Sequence, residues 1–422
     1  MTQTAHPKRT EPAASAPARS GLAARVSLGR LFQPVPMEFL LISFSALLLT
    51  VFGLVMVLSA TSANTTKGPF DEVLKQGMFA VVGIPLMFLV SRIPVNVIKR
   101  LAWPGLVLAI LLQLLVFVPG LGIASGGNRN WIGVAGFTVQ PSELLKLALA
   151  VWIAFVLLRK QTRLAIWHHV FIPVVPVAAL AIGTVVAGED LGTAMVMVLI
   201  VLGCLFFSGV KLRLFILPML LGVVAVLGYA LTSDNRMKRI LAAFNPEDCD
   251  IANECYQATH GMWGMASGGI FGVGLGNSQE KYGWLPAAAN DYIFAIVGEE
   301  LGLIGCVLVL GLFTAFAVGA FHIIRKTRDP FIRVAAGGIT LWIVGQALFN
   351  IGVVIRIFPV MGVPLPFMSQ GGTALLSVLL ACGVLLAFAR TIPATGSTTQ
   401  AEPKRAQGTP RRASARPGSI AG

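Results

Sequence analysis

The sequence predicts an all-α, polytopic membrane bundle of ten transmembrane helices, and three observations carry that prediction. Of the 422 residues, 56% are hydrophobic and only 12% charged, with a mean hydropathy of +0.80. A water-soluble fold cannot cover that much apolar surface, so lipid must solvate most of the chain. The apolar residues also run continuously instead of alternating, which excludes a barrel and leaves helices as the spanning elements. Finally, Lys and Arg gather between alternate apolar runs, the charge pattern that orients membrane proteins.

Residues 1–36, rich in Ala, Pro, Ser and Arg, read as a disordered basic tail. They are not a secretory signal, because the apolar run that follows is too long and has no small-residue cleavage site. A span needs about 20 apolar residues. That ruler marks runs at 38–60, 73–91, 101–119, 142–158, 170–188, 190–209, 214–232, 291–323, 334–357 and 373–390. The eighth run is long enough to tilt or to project beyond the bilayer. Residues 37–390 form the membrane domain, and 391–422, with Lys404, Arg405, Arg411 and Arg412, form a second basic tail.

With the N-terminus inside, the inner connections hold Arg92, Lys99, Arg100, Arg159, Lys160, Arg163, Lys211, Arg213, Arg325, Lys326, Arg328 and Arg333. The outer ones are poorer in cations, so both termini are expected to be cytoplasmic. Three elaborate segments then face outward: 120–141, the large loop 233–290 between helices 7 and 8, and 358–372. Such loops on a rigid scaffold are where function concentrates.

The net charge of +14 lies in short loops and tails without an aromatic-interleaved basic face, so nucleic acid is not an expected partner. The chain has no Walker lysine loop, no HExxH and no paired CxxC, which removes the usual apparatus of ATP-driven pumping and zinc hydrolysis. Cys204, Cys306 and Cys382 lie in apolar runs. Cys249 and Cys255 fall in the outer loop, where an oxidising compartment favours a disulfide; the alternative is two free thiols.

Four outer clusters carry the chemistry. Asp291 stands where the loop enters the eighth apolar run. Its bland reading is a helix cap favoured by the helix dipole, and its functional reading is a general base at a cavity mouth. Glu299 and Glu300 follow on that helix. Glu299, eight residues beyond Asp291, extends a polar stripe along one face, or else pairs with a cation from a neighbouring helix. Asn128–Ile132 and Gln140–Lys146 form the second cluster. Here Ser142 is a candidate cap, and Glu143 with Lys146 is a local ion pair one turn apart. Arg129 and Lys146 are alternatively phosphate ligands, since a guanidinium fork matches phosphate oxygens. The others are the acidic turn Glu189–Asp190 and the Pro364–Thr373 segment, whose prolines and glycines mark irregular backbone lining a cavity.

Together the motifs resemble the SEDS family (shape, elongation, division and sporulation), and its division branch in particular. They are Asn130-Trp131-Ile132, Gln140-Pro141-Ser142-Glu143 with Lys146, Asp190-Leu191-Gly192-Thr193, Tyr256-Gln257, Ser267–Gly276, Ser278, Lys281, Leu285-Pro286, Asp291–Phe294 running into Gly298–Gly302, and Pro364–Gly372. The resemblance implies a peptidoglycan glycosyltransferase that polymerises lipid II during septal cell-wall synthesis, in the plasma membrane and concentrated at the septum. Alternatives are an elongation polymerase of the same chemistry, a lipid II flippase and a division scaffold. It implies Asp291 as the catalytic acid or base, and Trp131 as a stacking surface for sugar or lipid. Substrate contacts are further expected from Arg129, Glu143, Lys146, Lys281, Glu299 and Ser369. The leaving undecaprenyl diphosphate is expected to be neutralised by cationic side chains or a divalent cation. A class B penicillin-binding protein, a single-span transpeptidase, is the implied partner beside other division proteins. The chain departs from the family pattern at Ala287-Ala288-Ala289-Asn290, where Glu and His are usual, and at Gln370, where Tyr is common.

Overall fold

The computed structural model describes residues 36–63, 70–125, 128–134, 137–163, 166–211 and 255–392, with isolated positions between 212 and 254. The tails beyond these limits and the predicted seventh run, 214–232, apart from a few isolated positions, lie outside the described residues. The described helices are α1 Met37–Thr61, α2 Asp71–Val90, α3 Val95–Leu114, α4 Pro141–Arg159, α5 Trp167–Val186, α6 Leu191–Phe207, α7 Tyr256–Gly268, α8 Ile293–Lys326, α9 Pro330–Val354 and α10 Gly372–Ala389. Eight of them (α1–α5 and α8–α10) are long and apolar enough to cross a membrane, and α6 is a shorter apolar helix of 17 residues. Nine of the ten predicted runs thus coincide with helices among the described residues.

α10 packs along α2, α8 along α1, α9 along α6 and α8, and α3 along α4. Helices α4, α9 and α10 are the most enclosed, burying Trp152, Trp342 and Phe388 completely. Close approach between backbones replaces the hydrophobic drive that lipid removes. At Gly53 of α1 a Cβ would sit 2.6 Å from the Cα of Met368, so glycine there lets the 364–371 segment lie directly across the helix. At one end of the bundle, Lys99–Asp329 and Lys326–Glu38 ion pairs join α3 to the α9 entry and α8 to α1. The opposite end gathers the N-termini of α4, α6, α8 and α10, and it is the end the charge pattern assigns to the exterior.

Two features depart from the sequence expectation of a purely helical chain with ten simple spans. The 120–141 loop folds into a three-stranded antiparallel sheet, β1 Gly122–Ser125, β2 Asn128–Val134 and β3 Phe137–Val139. Its pairs Gly122 with Ile132 and Ile132 with Val139 satisfy backbone groups that a free loop would leave to solvent. The sheet is anchored where Arg129 N–H and the Asn130 amide both donate to the Gly188 carbonyl, at 2.8 and 3.0 Å.

The second departure is in α8, which is not one continuous tilted rod. Gly302 takes φ 65° and ψ −159°, a conformation open essentially to glycine, and breaks the helix after Leu301. The 269–274 backbone lies along the break and satisfies it. Val273 and Gly274 N–H donate to the carbonyls of Glu299 and Glu300, and Leu303 and Ile304 N–H donate to those of Gly269 and Ile270. Part of the predicted outer loop is therefore welded to α8, roughly 13 Å along the helix from its start.

Candidate functional site

A cavity of about 380 Å³ opens among the four gathered helix N-termini. β2 contributes Asn128 and Trp131, the α4 entry Gln140 and Glu143, the turn before α6 Glu189 and Asp190, and α7 Gln257. Asn290 and Asp291 lie on the loop entering α8, and Gly362, Pro364, Gln370 and Gly371 on the last connecting segment. Among the described residues its lining holds four carboxylates and no Lys or Arg.

The carboxylates differ in how they are held. Glu143 is buried and receives the Lys146 ammonium at 2.7 Å, while its Oε2 meets no described partner. Asp190 is the N-cap of α6: its Oδ1 accepts from Thr193 N–H at 2.9 Å and its Oδ2 from the Gln140 amide at 3.0 Å. Glu189, in the same turn, takes a positive φ of 66°. Asp291 is different. Its backbone carbonyl accepts from Asn350 Nδ2 at 2.7 Å, but its carboxylate accepts no hydrogen bond from any described residue. The cap of α8 is Tyr292, so Asp291 does not fill the capping role that position alone suggested.

Burial first, and the neighbouring Asp190 charge second, push the Asp291 carboxyl up from 3.8 to about 6. The helix dipole, which favours the ionised form, is therefore not the dominant influence on this group. Desolvation and a like charge outweigh a dipole effect worth about 0.3–1 kcal/mol at exposed helix ends. Asp190 is also raised, chiefly by burial, against the lowering from its Thr193 hydrogen bond.

The walls around Asp291 are fixed by polar side chains from deep in the bundle. Gln346 and Asn350 of α9 donate to the carbonyls of Pro364 and Val363, each at 2.7 Å. Ser369 Oγ donates to the Asn290 carbonyl and accepts from Leu365 N–H, and Gln370 N–H donates to the Ala289 carbonyl at 2.8 Å. The Asp291 turn is closed by Asn290 and Asp291 N–H on the Ala287 carbonyl, with Ala287 itself at φ 54°. Gly362 stands across from Asp291, where an added Cβ would lie 3.7 Å from Oδ2.

Of the residues expected at the site, Asp291, Trp131 and Glu143 line this cavity together. Lys146 lies beneath it, fully buried between Glu143, the Gln346 amide oxygen at 3.2 Å and the Trp342 ring. Ser369 supports the wall. Arg129 is exposed on β2 beside Asn128 and outside the lining. Lys281 borders a second cavity of about 500 Å³, which shares Asn290 and Gln370 with the first. Its ammonium is committed to the Gly276 carbonyl at 2.6 Å and to Glu300 at 3.4 Å. Glu299 does not continue a stripe from Asp291. It is buried, accepting from Ser278 Oγ at 2.5 Å and Gln279 N–H at 2.7 Å. Ser142 does not cap α4; Gln140 occupies the cap position and Pro141 the first turn. Gln346 and Asn350 escaped the sequence reading, although a polar amide inside an apolar run is itself a signal.

Cys255 is disulfide-bonded, and its expected partner Cys249 lies outside the described residues. Cys204, Cys306 and Cys382 are buried free thiols. Among the described residues no three His, Cys, Asp or Glu side chains converge as metal ligands.

A broken-helix membrane bundle with a carboxylate-lined cavity at one end defines a class, and comparison with known proteins narrows it. The family model described as "Cell cycle protein", which covers FtsW, RodA and SpoVE, matches residues 39–392, and the chain belongs to that family. It is 38% identical over 359 residues to the probable peptidoglycan glycosyltransferase FtsW of Mycobacterium tuberculosis, covering 84% of this chain and 68% of that protein. It is 37% identical over 351 residues to the Geobacter metallireducens protein of the same name, covering 82% and 93%. It is 36% identical over 357 residues to stage V sporulation protein E of Bacillus subtilis, covering 84% and 97%. Among solved structures, a chain of a peptidoglycan synthase complex that coordinates polymerization and crosslinking superposes with a TM-score of 0.68 at 22% identity, covering 82% of this chain and 96% of that one. The rod shape determining protein RodA of Thermus thermophilus superposes with a TM-score of 0.62 at 22% identity, covering 86% and 99%.

Proposed function

We infer that this protein is a peptidoglycan glycosyltransferase of cell division, which polymerises lipid II into glycan strands at the outer surface of the membrane. The observation that carries the mechanism is the state of Asp291. It is the cavity carboxylate left without a hydrogen bond among described residues, and its proton affinity is matched to neutral pH. A carboxylate titrating near 6 is mostly ionised at pH 7 yet basic enough to accept a proton, the compromise a general base requires.

In the reaction, Asp291 takes the proton of the acceptor sugar hydroxyl. That oxygen forms a bond to the anomeric carbon of the donor, and the bond to undecaprenyl diphosphate breaks with its electron pair leaving on the diphosphate. Attack opposite the leaving group inverts the anomeric centre. General base catalysis contributes about 10²–10⁴-fold, and the remainder comes from holding the two substrates in line. Trp131 offers a face for a sugar ring. The four lining carboxylates repel a diphosphate, so its charge is met outside this lining. Arg129 is the cation assigned to it, since Lys146 and Lys281 are already paired with Glu143 and Glu300.

The flippase reading places charged binding groups near the bilayer midplane, whereas here the polar lining sits at helix ends. The working unit is proposed to include a single-span class B penicillin-binding protein, at the division septum. The test is polymerisation of purified lipid II with that partner. Glycan strands from the wild type and none from Asp291→Asn support the reading. Equal activity of the two proteins overturns Asp291 as base, and failure of the partner to copurify or to raise activity overturns the partnership.

A further inference from the structure

Asp190 lies about one hundred residues before Asp291 in the chain, yet the fold sets both on the same cavity. The contact between their elements is close. A Cβ on Gly192, two residues into the Asp190 turn, would lie 2.5 Å from the Met361 carbonyl and 3.3 Å from that of Gly362, and Gly362 is in turn the residue facing Asp291 Oδ2. The α6 N-terminus therefore lies directly on the 361–363 backbone with no room for a side chain at Gly192, and Gly362 of that backbone faces the Asp291 carboxylate.

We propose that Asp190 is a positioning residue for the transfer: a hydrogen-bonded carboxylate that holds this wall and makes Asp291 the member of the pair that takes up the proton. The proposal rests on the glycosyltransferase reading for its catalytic meaning, though not for its physical content. Two carboxylates sharing one site do not both ionise freely, and the one with better hydrogen bonds keeps its charge. Both oxygens of Asp190 are engaged, by Thr193 N–H and by the Gln140 amide. Gln140 is itself fixed, its backbone N–H donating to the Thr373 hydroxyl of α10 at 3.2 Å. Asp291 has no such donors among the described residues, so a proton taken up by the pair binds there first.

The other groups facing Asp291 do not compete for this role. From α4 comes Glu143, whose charge is met by Lys146 at 2.7 Å. Glu189 lines the same turn as Asp190. β2 presents Asn128 and Trp131, α7 presents Gln257, the last connecting segment presents Gly362 and Gln370, and α9 presents Asn350; none of these titrates near neutral pH. The raising of Asp291 by Asp190, second only to burial, agrees with this geometry.

The test is Asp190→Asn. Asparagine keeps an oxygen for the Thr193 cap, and Gln140 can turn its amide to pair with the new NH₂, so the wall is preserved while the charge is removed. In lipid II polymerisation with the partner, the acid limb of kcat is expected to move to lower pH by about one pH unit, as loss of a like charge requires. An acid limb unmoved in Asp190→Asn overturns the proposal. A readout independent of activity is thermal unfolding of the purified protein in four forms: wild type, Asp190→Asn, Asp291→Asn and the double variant. The pH above which the stability gain of Asp291→Asn over its parent stops growing reports protonation of Asp291 in the folded protein. It should fall by the same amount in the Asp190→Asn background, and no change there overturns the proposal even if the variant is inactive. Failure of the glycosyltransferase reading would look different: neither wild type nor Asp291→Asn would polymerise lipid II with the partner bound, while the unfolding shift persisted.

Discussion

Replacing Asp291 by Asn should make the protein more stable and, on the proposed mechanism, inactive. The carboxyl is raised from 3.8 to about 6, so the folded state binds its proton more tightly than the unfolded chain does. Stability therefore falls as pH rises from about 4 to about 6 and is constant above, since the ionised group is penalised only in the folded protein. A rise of that size corresponds to about 3 kcal/mol at pH 7, and solvent within the cavity reduces it to about 1–3 kcal/mol. Asparagine removes the charge at nearly constant volume. Thermal unfolding in one detergent should show Asp291→Asn melting about 1–4 °C above wild type at about pH 7.5, with the difference vanishing near pH 4. A variant less stable than wild type under the same neutral conditions, or a difference independent of pH, would refute the assignment of a buried, charge-strained base.

Three further outcomes follow from the framework around the site. Lys281→Met should destabilise by about 3–5 kcal/mol, because Glu300 is left buried without its cation. Lys281→Met with Glu300→Gln should recover most of that loss, as read by a double-mutant cycle of unfolding. Gly302→Ala should prevent stable folding or lower the Tm sharply, since a Cβ would meet Gly272 N and the Ile270 carbonyl at 2.5 Å in a conformation that alanine avoids; thermal unfolding after purification checks this. Gly188→Ala should release the sheet from α5, because the new Cβ would lie 2.0 Å from Asn130 Oδ1. Hydrogen exchange of the β2 amides is then expected to rise while the α4 and α9 amides stay protected.

Much of the scaffold was legible because lipid imposes a simple rule. A run such as 38–60 must be helical to satisfy its backbone, and α1 spans Met37–Thr61. Asp291, Trp131 and Glu143 were legible from motifs, and the fold brings all three onto one cavity. What escaped was long-range. Asp190 joins Asp291 only because α6 and α8 both begin at the same end of the bundle, and the sequence shows no local sign of that convergence. The cation that the sequence offered Glu299 from a neighbouring helix is instead Lys281, which comes from the loop beside the break at Gly302 and pairs with Glu300. That break was hidden because a glycine inside an apolar run reads as tolerated helix until another strand of backbone is seen to fill the gap. Glu299, eight residues from Asp291, illustrates the same loss: helical spacing aligned the two, and the turn at Tyr292 placed Asp291 outside the helix.

The most direct test of the central claim measures substrate binding and strand formation separately, with wild type and Asp291→Asn beside the partner transpeptidase. The account predicts that Asp291→Asn still binds lipid II within a few-fold of wild type while strand formation falls by at least about 100-fold, the contribution of a general base. Strand formation by Asp291→Asn at the wild-type rate would contradict it.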